Sequence, residues 1–392
     1  MRSNVKRYVV GATLVLGCLV WMSGVAAAQA KDPVVVSVVG ELSGGGAVMF
    51  DYFWKAAQMA RDEINAKGGI LGRPIKLTSY DTQSDPPTSV SAIKRALAQD
   101  KPYVVVGPIY SGSTIVNMAE TRAAKVPHFV GSESWAITTK GNPYIFRTSE
   151  NTKIDAVKML RWLAEEKKIK RAAMIYRGDE AGVSSKDATL EYLKEKGVSV
   201  DPLIVVDVRQ KDYTAELLKV KASKPDVLIV DPDVGEAAIL ARQAKKLGVD
   251  TLQYSRNACD PVFLELAKTD GDGILCHTGF IPNSPDERSK AFVDRYVKRW
   301  GKEPSEEAYK GYLGIYMVKV VTEQVKAFDQ EKFAQKMKNF VLTADMDPNI
   351  IPAYWDENGD YHFRSHIAVV KDGKYEIMAR VPPFKGPGSG QK

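Results

Sequence analysis

Two short polar loops carry the residues of this sequence that are best suited to hold a small molecule. Residues 107–114 (GPIYSGST) and 131–134 (GSES) each follow a predicted strand and precede a helical or polar stretch. Such loops offer hydroxyls and unpaired backbone N–H groups, which bind an anion and most naturally a carboxylate. The candidate binding residues of the two loops are Ser111, Gly112, Ser113, Ser132, Glu133 and Ser134.

A simpler interpretation of the first loop is that Ser113 or Thr114 only caps the helix that follows. The motif by itself does not separate capping from binding. The second loop has the same composition at the matching position of the next strand, and two such loops side by side favour ligand binding.

Motifs for enzymatic or metal chemistry are absent from the sequence. It contains no Gly-x-Ser-x-Gly, His-Glu-x-x-His or Gly-x-x-x-x-Gly-Lys motif and only 4 His. The acid pair Asp231 and Asp233 would suit a glycosidase, but nothing indicates a sugar cleft. The sequence therefore predicts a binding protein, not an enzyme, with no metal and no cofactor.

The composition indicates a folded chain of two domains. Of 392 residues, 44% are hydrophobic and 3 are Cys, which excludes disordered, collagen-like and disulfide-stapled proteins. Residues 31–392 carry 52 basic against 48 acidic groups, a net charge of +4 that is too weak to predict nucleic-acid binding. At roughly 150 residues per domain, this length is enough for two hydrophobic cores.

Residues 1–30 have the layout of a secretory signal peptide. Three basic residues precede an apolar run at 8–22 and a small-residue stretch at 26–30. The apolar run is shorter than the ~20 residues of a membrane-spanning helix. We therefore expect an exported protein that begins near Lys31. An alternative is a lipid anchor, because residues 15–18 (VLGC) resemble the lipobox that makes Cys18 the acylated N-terminus.

The rest of the chain alternates β-branched runs with amphipathic stretches, which predicts an α/β fold with mainly parallel sheets. Predicted strands lie at 34–39, 76–80, 103–106 and 128–130, and then at 171–176, 203–206, 227–230, 251–254 and 273–278. Two long helices at 286–300 and 305–327, a shorter one at 331–339 and a hairpin-like end follow, and residues 382–392 are predicted to be a flexible tail. Two doubly wound, Rossmann-like lobes would place their ligand loops across a cleft.

Two cysteines remain after the signal peptide. Cys259 and Cys276 are 17 positions apart, and an oxidising compartment would allow them to form a disulfide. The alternative is two buried thiols at neighbouring strand ends.

Several strings of the sequence resemble the leucine/isoleucine/valine-binding protein family, the type I periplasmic binding proteins of hydrophobic amino acid ABC importers. The resemblance covers almost the whole chain after the signal peptide. It is carried by residues 40–44 (GELSG), 57–70 (AQMARDEINAKGGI), 111–114 (SGST), 243–248 (QAKKLG) and 355–359 (WDENG).

The resemblance implies two lobes joined by three hinge crossovers that close on a ligand. Ser111 falls where the family's serine holds the ligand carboxylate, and Ser134 falls where a threonine contacts carboxylate and ammonium. Further site positions implied by the family are Thr152, Asp233, Asn257 and, in an aromatic wall of the first βα loop, Phe50. The implied lobes are 31–148 with 286–346, and 149–281 with 352–381.

One departure from the family bears on the ligand. Amino-acid-binding members have a glutamate for the ligand ammonium where this sequence has Asn257, and a neutral amide supplies no countercharge. Either Asp233 or Glu133 takes over that role, or the ligand is a carboxylate or amide without an ammonium. We thus expect a monomeric periplasmic receptor that passes a small carboxylated ligand, namely a branched-chain or hydrophobic amino acid or a related compound, to an ABC permease. A soluble ligand sensor for a membrane receptor is the other interpretation.

Overall fold

A computed structural model describes residues 31–382. The predicted signal peptide, its Cys18 and almost all of the predicted tail lie outside these residues. Within them, no helix has both the length and the apolar character needed to cross a membrane.

The first lobe is built on a five-stranded parallel sheet with the order β2-β1-β3-β4-β5. Its strands are β1 (Val34–Gly40), β2 (Ile75–Asp81), β3 (Val104–Val106), β4 (His128–Val130) and β5 (Ile145–Arg147), and its first helices are α1 (Ala47–Ala66), α2 (Pro86–Asp100) and α3 (Ser111–Ala123). The Val-rich β1 is buried on both faces, as expected for a parallel strand between helical layers. Asp85 caps α2 through Thr88 N, and Pro86 fits its first turn because a proline needs no intrahelical N–H partner there.

The second lobe contains a seven-stranded sheet with the order β15-β14-β10-β9-β8-β6-β7. Its strands are β6 (Arg171–Arg177), β7 (Ser199–Val206), β8 (Val227–Val230), β9 (Leu252–Ser255), β10 (Leu275–Thr278), β14 (Ser365–Lys371) and β15 (Lys374–Val381). Its helices are α4 (Thr152–Glu165), α5 (Glu180–Glu195), α6 (Thr214–Ser223), α7 (Val234–Leu247) and α8 (Pro261–Ala267). Strands β6 to β10 are parallel, whereas β14 and β15 pair antiparallel at the β10 edge.

The chain returns to the first lobe after β10. Helices α9 (Glu287–Trp300), α10 (Glu306–Val325) and α11 (Gln330–Met337) are followed by a small sheet of β11 (Val341–Leu342), β12 (Ala353–Trp355) and β13 (Tyr361–His362). Helix α10 is buried on almost every side and packs along α1. The chain therefore passes between the lobes three times: after β5, after β10 and after β13. This architecture confirms the predicted fold class.

The structure corrects the predicted lobe boundary near residue 352. Trp355 and Tyr361 belong to the hydrophobic core of the first lobe, and the Trp355 indole N–H donates to the Arg147 carbonyl oxygen at 2.7 Å. Residues 352–363 thus pack on the first lobe, and only β14 and β15 of that segment join the second. The strands predicted from the sequence did not include β5.

Cys259 and Cys276 form a disulfide within the second lobe, with their Cα atoms 5.4 Å apart. It joins the short helical turn after β9 to strand β10. Both residues lie in the hydrophobic core of this lobe.

Candidate functional site

A cavity of about 850 Å³ lies between the two lobes. The parallel strands β2-β1-β3-β4-β5 and β7-β6-β8-β9-β10 follow the same doubly wound order, in which the direction of the chain reverses once. Ligands of such sheets bind outside the carboxyl ends of the strands at that reversal, which here is β1/β3 in the first lobe and β6/β8 in the second. The loops after β3, β6 and β8 all line the cavity.

The N-terminus of α3 forms the first wall of the cavity. Tyr110 precedes the helix and makes no side-chain capping bond. The helical hydrogen bonds of α3 begin with the bond from the Thr114 N–H to the Tyr110 carbonyl oxygen. Ser113 is 1% exposed, and its hydroxyl has no hydrogen-bond partner among the described residues. Free N–H groups at a helix N-terminus and an unpaired hydroxyl are together suited to a carboxylate.

Two residues behind this loop fix its position. Gly107 has φ +87°, and a Cβ there would lie 2.5 Å from the Val39 carbonyl oxygen, so only glycine fits the turn after β3. The buried carboxyl of Glu41 accepts from the backbone N–H groups of Ile109 and Tyr110 at 3.1 and 3.3 Å. Burial raises the pKa of Glu41 to about 7 even though these two bonds lower it.

Ser111 connects the two predicted loops. Its hydroxyl oxygen accepts from the backbone N–H groups of Glu133 and Ser134 at 3.3 and 3.1 Å. The loop after β4 is thereby held against the α3 N-terminus. The hydroxyl of Ser134 points across the cleft and donates to Glu180 of the second lobe at 2.7 Å.

A network of charges crosses the cleft at the floor of the cavity. Arg256, after β9, contacts Glu133 at 2.7 Å, Asp155 on α4 at 2.6 Å and Glu306 on α10 at 3.0 Å. Lys310 adds a second contact to Glu133 at 2.7 Å. Burial alone would raise the pKa of Glu133, but Arg256 and Lys310 hold it below its usual value. The Glu133 carboxylate is therefore ionised and already neutralised by the protein.

A second ion-pair group lies at the end of β6. Arg177 contacts Asp233 and, at 3.0 Å, Asp179. The Tyr110 hydroxyl of the first lobe also donates to Asp233 at 3.3 Å. Arg177 is largely buried, and these acids raise its pKa although burial by itself would lower it.

Seven of the ten predicted site residues line the cavity, and they come from both lobes: Ser111, Gly112, Ser113, Glu133, Thr152, Asp233 and Asn257. Asn257 is the neutral residue at the position of the family's glutamate, and its amide donates to the Pro232 carbonyl oxygen at 2.7 Å. It thus fixes the loop after β8 by a neutral hydrogen bond.

Three predicted residues lie elsewhere. Ser132 is buried behind the loop, with its hydroxyl 2.6 Å from that of Thr114, and Ser134 is directed at Glu180. Phe50 does not belong to a cavity wall, because α1 begins at Ala47 and turns this ring into the core, where it stacks on Phe53 with 5.1 Å between ring centroids. A Cβ at Gly40 would overlap the Phe50 ring, so the glycine provides the space for it.

Sequence reasoning missed several residues of the cavity. Arg177 was not considered, and Asp231 was considered only as half of a glycosidase acid pair. Both residues directly follow a predicted strand at its carboxyl end, so the strand-end rule could have found them as ligand contacts. Asp155 and His277, whose Oδ1 and Nε2 atoms lie 2.9 Å apart, had no comparable signal because only the packing of α4 against β10 brings them together. Among residues 31–382, no three His, Cys, Asp or Glu side chains converge as a metal site would require.

Comparisons with known proteins give one consistent result. A family model described as periplasmic binding protein matches residues 33–374. An amino acid binding protein of Pseudomonas aeruginosa is 29% identical over 359 residues, which cover 89% of this chain and 94% of that protein. The Leu/Ile/Val-binding protein of Escherichia coli is 24% identical over 364 residues, covering 89% and 93%.

Solved structures resemble the fold over nearly their full length. A leucine binding protein from Thermotoga maritima has a TM-score of 0.81 at 23% identity, covering 89% of this chain and 99% of that one. A solute binding protein of an ABC transporter from Rhodopseudomonas palustris, in complex with 3,4-dihydroxybenzoic acid, has a TM-score of 0.82 at 22% identity, covering 91% and 99%. Similarity at this level shows a shared fold.

Proposed function

This chain belongs to the periplasmic binding protein family, and from that membership we propose that it is the substrate-binding component of an ABC importer that captures a small carboxylated ligand between its lobes. The observation that carries this proposal is the N-terminus of α3, where the buried Ser113 hydroxyl has no partner among the described residues and lines the cavity. A carboxylate supplies the acceptor that this hydroxyl and the adjacent N–H groups need.

The proposed capture proceeds by closure of the lobes. The carboxylate binds the first lobe through the backbone of Ser111, Gly112 and Ser113, and the rest of the ligand reaches the loops after β6, β8 and β9. A ligand favours the closed state only to the extent that it binds this state more tightly than the open one. The permease then recognises the surface that closure creates, and the receptor acts in the periplasm as a monomer without catalytic turnover.

A carboxylate is the group common to the compounds named for related proteins. The relatives are named for amino acids, and the solved structures of the same fold include complexes with isoleucine and with 3,4-dihydroxybenzoic acid. A carboxylate without an ammonium is the second candidate, because Asn257 is neutral and Glu133 is already paired with two cations of the protein.

Thermal unfolding tests the proposed function. The protein is freed of bound ligand by unfolding and refolding, and is then heated with separate panels of amino acids, aliphatic acids, aromatic acids and amides. A ligand at 1,000 times its Kd adds about 4 kcal/mol, which at about 2–4 °C per kcal/mol raises Tm by roughly 10 °C. We expect such a shift with carboxylates. A shift with uncharged amides alone would refute the carboxylate site.

A further inference from the structure

The acids that line the cavity are not equivalent. Glu133 contacts Arg256 and Lys310, and Asp233 contacts Arg177. A carboxylate already neutralised in this way has little attraction left for a cation of the ligand. The structure therefore argues against both residues that the sequence suggested as partners of a ligand ammonium.

Asp231 differs from Glu133 and Asp233 in its surroundings. It directly follows β8, at the chain reversal of the second sheet, and lines the same cavity as the α3 N-terminus. Its Oδ1 accepts from the Ser185 hydroxyl at 2.9 Å, and among residues 31–382 no Lys, Arg or His nitrogen forms an ion pair with it. The positive charge of Arg177 lowers the pKa of Asp231, but Arg177 is already paired with Asp233 and Asp179.

We propose that Asp231 binds a cationic group of the ligand, so that the ligand is a carboxylate that also carries an ammonium. This inference rests on the proposed function, since the carboxylate is held at α3. Asn257 supports it indirectly: its bond to the Pro232 carbonyl fixes the backbone next to Asp231. Under this proposal, the negative charge that faces the ligand ammonium lies at the end of β8, at Asp231, and not at the end of β9, where the family has its glutamate and this chain has Asn257.

The protonation of Asp231 gives the inference a measurable signature. Burial raises its pKa to about 7, although Arg177 and Ser185 lower it. An ammonium binds the ionised carboxylate, so binding releases a proton below about pH 7, and affinity rises with pH until about 7 and then levels off. The groups that face Asp231 from neighbouring elements are Arg177 on β6, Asp179 after β6, Ser185 on α5, Tyr254 on β9 and Glu133 of the first lobe.

The test compares pairs of compounds that differ only in the ammonium: leucine with 4-methylpentanoate, phenylalanine with 3-phenylpropanoate, alanine with propanoate, glutamate with glutarate, and 4-aminobutanoate with butanoate. Kd is measured by calorimetry for the wild type and for Asp231→Asn. Asparagine resembles the protonated carboxyl, so the variant should fold. Asp187→Asn is the matched control, because Asp187 is a partly exposed acid on α5 of the second lobe that pairs with Lys186, and neither residue lines the cavity.

We expect the wild type to prefer the amino member of a pair, and Asp231→Asn to weaken that member about 10- to 100-fold while the deaminated member changes little. The pH dependence of Kd between pH 6 and 8 should become flatter in Asp231→Asn. Glu307 also titrates near pH 7, so the difference between the two proteins carries the test.

Two outcomes would overturn the inference: equal or tighter binding of the deaminated members, or an amino member whose Kd is the same in both proteins. Either leaves the carboxylate receptor standing. Binding of a benzoate from the thermal screen by a protein that binds no amino member would overturn the inference alone, whereas failure of every carboxylate in the five pairs and in that screen would overturn the proposed function and the inference with it.

Discussion

Ser113→Ala separates binding from folding more cleanly than any other substitution at the α3 N-terminus. The Ser113 hydroxyl is buried, lines the cavity and makes no hydrogen bond to the described residues. Removing it therefore takes nothing from the ligand-free fold, and alanine is a better helix former than serine. With ligand bound, the same change removes a hydrogen bond to a charged group, a loss of about 1.5–3 kcal/mol or about 10- to 150-fold in Kd.

Ser132→Ala is the matched control for this prediction. Ser132 is an equally buried serine of the neighbouring loop, but its hydroxyl lies 2.6 Å from that of Thr114 and does not line the cavity. Its loss should lower the free energy of unfolding by about 1 kcal/mol with a much smaller change in Kd. Both quantities are measured by urea denaturation without ligand and by calorimetry with the ligand found in the thermal screen. If Ser113→Ala leaves Kd unchanged, the carboxylate does not bind at α3.

Three further perturbations follow from buried groups. Glu41→Gln should flatten the pH dependence of the unfolding free energy. The folded protein holds the Glu41 proton up to about pH 7, whereas the unfolded chain holds it only to about pH 4.5. The unfolding free energy of the wild type therefore decreases as the pH rises from about 4.5 to about 7. Urea titrations at several pH values check the slope. Replacing both Cys259 and Cys276 by alanine should cost about 3 kcal/mol, seen as a lower urea midpoint, and reductant should destabilise only the wild type. Arg256→Gln strips three acids of a countercharge and should cost about 3–5 kcal/mol; an unchanged midpoint would contradict the network.

The sequence predicted most strands to within one or two residues because parallel strands buried on both faces are continuous apolar runs. Strand β8 and strand β4 match the predicted ranges, and β6 differs by one residue. The errors involve contacts between distant parts of the chain. The local pattern predicted a hairpin-like end, but only packing shows that Trp355 and Tyr361 enter the core of the first lobe.

The sequence could indicate the part of the candidate site in which loops at strand ends carry hydroxyls. It could not indicate which acids remain free for a ligand cation, because that depends on ion pairs within the fold. Glu133 and Asp233 were plausible ammonium partners as residue types. Their availability depends on Arg256, Lys310 and Arg177, which reach them from other elements. Phe50 was misplaced because the family resemblance assigned it to the first βα loop, whereas α1 already begins at Ala47.

Hydrogen bonds between the two lobes contribute to the affinity of the protein for its ligand. The hydrogen bonds that join the lobes beside the cavity include three that involve side chains of its loops: Tyr110 to Asp233 at 3.3 Å, Ser134 to Glu180 at 2.7 Å, and the Trp135 N–H to Ser184 at 3.1 Å. All three are made by the protein alone, so they stabilise the closed arrangement whether or not ligand is present. The apparent Kd is the intrinsic Kd divided by the fraction of binding-competent protein. Because the ligand binds the closed state more tightly, these bonds raise the affinity by raising the closed fraction of the ligand-free protein. Neither Trp135 nor Ser184 lines the cavity, so Ser184→Ala, which removes the acceptor of the Trp135 N–H, should raise Kd by the same factor for every ligand tested by calorimetry, because the change acts on the shared equilibrium between the lobes.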